Sequence, residues 1–170
     1  MEKVCLEIQN LTKRYDNSSF CLDHLNLQLP YGSVMGLIGE NGAGKTTAIK
    51  LILNLIRRDE GSVKLFGLDN IRDEEAIKQQ IGVVFDENHF HEIFTPTDIA
   101  KIMRNLYQKW DDNLFQQYLR QFQLPVNKPV KTYSRGMKVK LSIAAALAHH
   151  PKLLLLDEPT SGLDPIVRDE

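Results

Sequence analysis

An α/β fold with a parallel-sheet core, an N-terminal antiparallel β layer and an inserted helical segment follows from three patterns in this 170-residue chain. Two apolar runs, residues 33–38 and Leu153–Leu156, are nearly continuous, as expected of strands covered on both faces. Between Val4 and Phe66 three stretches instead alternate apolar and polar residues, the mark of half-buried antiparallel strands. Between residues 88 and 148 the apolar spacing becomes helical, with capping residues and prolines at the breaks.

Taken in order, residues 4–9, 25–29 and 64–66 alternate, and Pro30 to Gly32 marks a tight turn. The run 33–38 ends in a glycine-rich loop that opens a helix expected over 45–56, where Ile49, Ile52, Leu53 and Ile56 recur at helical spacing. A short helix is expected over 74–80 and a buried strand over 81–85, ending at Asp86 and Glu87. Thr95 followed by Pro96 is a helix start, the helix running to about Tyr107. Asp111 or Asp112 caps a second helix to about Phe122, and Ser134 caps a third, Ala-rich one through Leu147. The chain reads as one domain, 1–170, with an α/β core over 1–87 and 149–170 and a helical subdomain over 88–148.

Composition narrows the function classes. Hydrophobic content of 42% and charged content of 25% are ordinary globular values, and a net charge of −1 gives no basic footprint for nucleic acid. Cys5 and Cys21 lack metal-ligand or CxxC spacing and read as reduced thiols. No apolar run approaches the roughly 18 residues of a membrane span, and the charged start does not resemble a signal peptide.

Chemistry concentrates in three motifs. Gly39, four residues (Glu40, Asn41, Gly42 and Ala43) and then Gly44, Lys45 and Thr46 follow a strand pattern and open a helix. In that context the glycines let backbone amides converge on phosphate oxygens, Lys45 reaches the β- and γ-phosphates, and the Thr46 hydroxyl ligates Mg²⁺. Thr47 adds a group toward the α-phosphate. Asp157 and Glu158 end the run Leu153–Leu156, where ligands of open α/β sheets collect. Two acids after a strand mean little alone. Downstream of a phosphate loop they suit Mg²⁺ (Asp157) and the attacking water (Glu158). Ser134, Arg135, Gly136 and Met137 form a second helix start suited to an anion, which points to a nucleotide held by another subunit.

The ordered set resembles the ATP-binding subunit of an ABC transporter, with a P-loop NTPase core: phosphate loop 39–46, signature 134–137, Walker B 153–158 and D-loop 161–164. The Gly-Met-Lys end of the signature and residues 146–165 are most similar to bacterial exporters of the ABC-2 or bacitracin/multidrug type. The resemblance implies ATP and Mg²⁺ as ligands and a head-to-tail pairing with a second ATP-binding subunit, whose Ser134 and Gly136 complete the site. It also implies a transmembrane permease subunit as partner, and a place on the cytoplasmic face of the cell membrane. Tyr15 falls where the family stacks adenine, and Phe90, Ile93 and Phe94 fall where it receives the membrane partner. Asp86 replaces the Q-loop glutamine, where a carboxylate can coordinate Mg²⁺ or its water but cannot donate as an amide does.

The family's next strand, ending in a histidine, is not in this sequence. A truncated ATPase with low turnover, reduced stability and possible strand exchange is therefore expected, residues 33–38 and Leu153–Leu156 exposing edges, pairing together or pairing with another chain. Two rival readings are a nucleotide-binding module without turnover and an ABC ATPase outside transport. Against the DNA-repair type, residues 86–134 contain Pro96, Pro125 and Pro129 and no sustained heptads. His89 and His91 lack a third metal ligand, His149 and His150 close the signature helix, and Tyr107 and Trp110 read as packing.

Overall fold

The computed structural model describes residues 3–16, 20–85 and 90–158. It divides into two compact units, Met1–Lys78 and Gln79–Glu170.

In the first unit, β1 (Val4–Arg14) is the hub of an antiparallel sheet in the order β2-β1-β3-β4, with β2 over Cys21–Pro30, β3 over Glu60–Leu65 and β4 over Leu68–Asp69. Leu6 pairs with Leu29 on one side and Leu65 on the other, and Ile8 with Leu27 and Val63. Leu6, Ile8, Val63 and Leu65 are all buried, so alternation along β1 turns into one apolar face.

Helix α1 (Lys45–Ile52) buries Ala48, Ile49, Leu51 and Ile52. It stops four residues short of the sequence expectation because Asn54 is left-handed, at φ 54°, and closes the turn as a C-terminal residue does. The Asn70 amide then donates to the carbonyls of Leu51 (2.8 Å) and Ile52 (3.1 Å), satisfying groups a longer helix would have bonded, while its oxygen accepts from Arg58. Helix α2 (Glu74–Lys78) carries an i,i+4 ion pair between its end residues.

The second unit holds a parallel pair, β5 (Ile81–Val84) with β6 (Leu153–Leu156), in the register Ile81–Leu153 to Val84–Leu156. Three helices accompany it: α3 (Pro96–Leu106), α4 (Asp112–Gln121) and α5 (Arg135–Leu147). Thr95 forms a full capping box with Asp98 at the start of α3, Asp111 accepts from Leu114 N–H at the start of α4, and Pro96 occupies the first turn. Phe115, Leu119, Val130 and Leu141 are fully buried in the helical core, and Ala144, Ala145 and Ala148 allow close approach along α5. His149 is buried, its Nε2 at 2.9 Å from the Ile81 carbonyl and its ring stacked on Tyr107 with 4.0 Å between centroids. Burial holds its pKa below the ordinary histidine value, so the ring is neutral and donates from Nε2.

Two expectations fail here. Residues 33–38 form no strand, and Val34 and Ile38 are fully exposed instead of covered on both faces. No described strand pairs with them, and an extended segment becomes a ladder member only when a neighbour takes its N–H and C=O groups. Leu153–Leu156 is a strand, but only Leu153 is buried, and Leu156 is 44% exposed because β6 pairs with β5 alone among the described strands.

Candidate nucleotide site

Residues 39–46 build a cradle out of backbone. A Cβ on Gly39 would lie 2.9 Å from the Ala43 Cβ, and Gly42 and Gly44 hold φ of 88° and 96°, conformations that side chains other than glycine rarely adopt. Ala43 N–H donates to the Glu40 carbonyl at 3.1 Å, closing the loop on itself. Gly44 is the N-cap of α1, no side chain caps that terminus, and no acidic residue occupies the first turn. Its leading amides and the positive end of the helix dipole are therefore presented to an external anion. Lys45 folds back, its Nζ donating to the carbonyls of Gly39 (2.8 Å) and Glu40 (3.1 Å), which stations an ammonium inside the loop. Thr46 is exposed and Thr47 half-buried on the opening turn of α1.

Tyr15, at the end of β1, is 38% exposed, its ring 6.2 Å from that of Phe20 and under the Lys13 ammonium at 5.5 Å. The arrangement leaves an aromatic surface available in the same unit as the loop.

In the second unit, Asp157 N–H donates to the Val84 carbonyl at 2.8 Å, extending the β5–β6 ladder by one residue and fixing where the strand ends. Asp157 is buried and Glu158 exposed, the latter in a left-handed conformation at φ 46°. A carboxylate in confined surroundings at a strand's C-terminal end suits a cation, and a non-glycine residue with positive φ beside it redirects the chain where the second acid is presented. Ser134 caps α5, its Oγ accepting from Met137 N–H at 3.2 Å. Tyr133 anchors the motif from below, buried, its hydroxyl donating to the Pro125 carbonyl at 2.5 Å, while Ser134 and Arg135 remain exposed. Asp86 and the D-loop residues 161–164 lie outside the described residues.

Residues 39–46 thus form a glycine loop ahead of α1, Asp157 and Glu158 follow the end of β6, and Ser134 caps an exposed helix start. A family model described as ABC transporter matches residues 22–161. The chain belongs to the ABC transporter family. Among ABC relatives, it is 38% identical over 168 residues to the bacitracin transport ATP-binding protein BcrA of Enterococcus faecalis, covering 98% of this chain and 54% of that protein. It is 36% identical over 162 residues to the lantibiotic transport ATP-binding protein SrtF of Streptococcus pyogenes, covering 95% of this chain and 69% of the relative. A solved structure of an ATP binding subunit of an ABC transporter superposes with a TM-score of 0.84 at 27% identity, over 97% of this chain and 70% of the other. The chain spans about half the length of the first curated ABC relatives it matches. The α/β P-loop fold of ABC ATP-binding domains is thereby established, with an antiparallel β layer and a helical segment.

Sequence reasoning passed over Phe20. The residue is one more aromatic in an apolar-polar run, and its contact with Gly44 joins positions 24 apart, which no local pattern reveals.

Proposed function

We propose that this chain binds and hydrolyses ATP with Mg²⁺ to drive a membrane exporter whose cargo is a drug, a peptide or a lipid-like molecule. The observation that carries the reading is the uncapped N-terminus of α1 behind a glycine loop that already holds the Lys45 ammonium. Bacitracin and lantibiotic transport are the roles given in the names of relatives, and they favour an exporter.

In this reading Lys45 exchanges the carbonyls of Gly39 and Glu40 for β- and γ-phosphate oxygens, at little reorganisation because its side chain already lies in the loop. Backbone amides of Gly42, Ala43 and Gly44, with Gly39 and Asn41 shaping the turn, surround the β-phosphate, and Thr47 contacts the α-phosphate. Thr46, Asp86 and Asp157 are the residues that would hold Mg²⁺, directly or through water. The ion, when bound, neutralises charge developing on the β- and γ-oxygens. Glu158 takes the proton of the attacking water. Tyr15 stacks on the base. Ser134 and Gly136 of a second copy, arranged head to tail, close over the γ-phosphate, so ATP joins two subunits and its hydrolysis separates them. No helix among the described residues is long and apolar enough to cross a membrane. A permease subunit supplies the pathway in this proposal, with the ATPase on its cytoplasmic face, and nucleic acid has no part in it.

The test is the mass of Glu158→Gln in solution with and without ATP and Mg²⁺, by light scattering after size exclusion. ATP should double the mass, and adding Ser134→Arg should abolish the doubling. A mass unchanged at saturating ATP would refute the shared site.

A further inference from the structure

The second unit holds a cavity of about 330 Å³ bounded by residues of β5, α3, α5 and the turn after α5. Phe85, Phe90, Met103 and Tyr107 line it, and the small side chains of Ala145 and Ala146 on α5 leave the space open. Part of this wall is fixed by hydrogen bonds around it. Gln79 clasps the end of α3, its amide donating to the Leu106 carbonyl at 2.8 Å while its oxygen accepts from Gln108 N–H at 3.0 Å, which holds Tyr107 between the two anchors. Tyr107 stacks in turn on His149, which also lines the cavity. The buried His149 ring commits Nε2 to the Ile81 carbonyl at 2.9 Å, whereas its Nδ1 is buried with no hydrogen-bond partner among the described residues. In a neutral ring that donates from Nε2, Nδ1 is an acceptor, and it lacks a donor. Ser142, the nearest hydroxyl-bearing residue along α5 in the same wall, donates instead to the Lys138 carbonyl at 3.1 Å.

Buried polar atoms in folded proteins are almost always paired, so an orphan acceptor in a cavity wall calls for a donor from outside the chain. An apolar cavity of roughly 150 Å³ already takes benzene, so this one has room for one or two fused rings. We propose that the cavity is a binding site for a small aromatic molecule with one hydrogen-bond donor, of phenol or indole type, which places its donor on His149 Nδ1 and its rings among Phe85, Phe90, Met103 and Tyr107. Aromatic walls favour offset or edge-on contact with a bound ring, and the polarizable Met103 thioether adapts to it. A charged ligand would give up its water to a wall that returns one hydrogen bond, which excludes that class. Only residues of the second unit take part, so the site stands apart from the reading of residues 39–46.

Isothermal titration of indole and of benzofuran into the full chain tests this. Benzofuran keeps the fused rings and has an ether oxygen where indole has its N–H, so the pair isolates the hydrogen bond without altering the protein. Indole should bind saturably at one site per chain and about tenfold more tightly than benzofuran, as expected when a buried acceptor gains its donor. In chain labelled with ¹⁵N-histidine, indole should move the Nδ1 resonance that is absent from His149→Gln, and benzofuran should leave it in place. Ser142→Leu, which sets a larger apolar side chain in the cavity wall, should weaken indole about tenfold by filling the space. No saturable binding of indole at its highest soluble concentration would overturn the proposal. Equal affinity for the two molecules, or indole bound without a shift at His149, would remove the role given to Nδ1 and overturn it too. Wild-type affinity for indole in Ser142→Leu would place the molecule outside the cavity.

Discussion

Gly44→Ala strikes at the point where sequence, loop and aromatic ring meet. Gly44 adopts φ 96° and ψ 9° as the N-cap of α1, and a Cβ there would lie 2.8 Å from Phe20 Cζ. Two costs follow. An L-residue held at left-handed φ loses roughly 1–2 kcal/mol, and a methyl group forced into an occupied space costs about 1–3 kcal/mol. Their sum, about 2–4 kcal/mol after partial relaxation of the ring, should move the urea midpoint of the unit that carries α1 clearly downward. The two parts can be separated. In the double variant with Phe20→Ala the ring is gone, so the contact term vanishes and the φ term stays, giving a coupling of about 1–2 kcal/mol between the sites. A Gly44→Ala variant within about 0.5 kcal/mol of wild type would refute the strained geometry. Additivity of the two substitutions to within about 0.5 kcal/mol would refute the contact.

Two further outcomes concern the second unit. Thr95→Ala removes the capping box of α3 and should cost about 1 kcal/mol by chemical denaturation, an effect that Thr95→Ser should largely spare. His149 gives a pH dependence of known sign. Its folded pKa is depressed chiefly by burial, so the unfolded chain binds the proton more readily, and stability contributed by the neutral ring is lost as pH falls through the ordinary histidine value of about 6.5. Urea midpoints should decline between about pH 7.5 and 5.5 in wild type. In His149→Gln, which keeps a donor for the Ile81 carbonyl but does not titrate, that slope should flatten. A slope equal to that of wild type would exclude His149 as its source.

What could be read in advance followed the range of the interactions. Thr95 with Pro96, the pair Asp111 and Asp112, and Ser134 each announced a helix start, because a cap bonds amides only two or three residues away and its chemistry is written within one turn; the structure selects Asp111 of the pair. The glycine turn of residues 39–44 opening α1 was legible for the same reason. Residues 33–38 show the opposite case: their composition suits a buried strand, yet strand structure depends on a neighbour supplied from elsewhere, and the pattern cannot announce that neighbour. Leu156 is exposed by the same logic. The bonding of the last carbonyls of α1 depended on Asn70, 18 residues beyond Ile52, and the placing of Phe20 on Gly44 on a contact across the loop, so neither was visible in local spacing.

The central claim is that residues 39–46 hold the phosphates of ATP through the α1 amides and Lys45. Isothermal titration of ATP with Mg²⁺ into the wild-type chain and Lys45→Ala measures it most directly. The account predicts saturable binding at one site per chain and a loss of about tenfold to hundredfold in Lys45→Ala, the range expected when a charge-assisted hydrogen-bond partner is removed. ATP bound equally well by Lys45→Ala, or not bound by the wild-type chain at all, would contradict it.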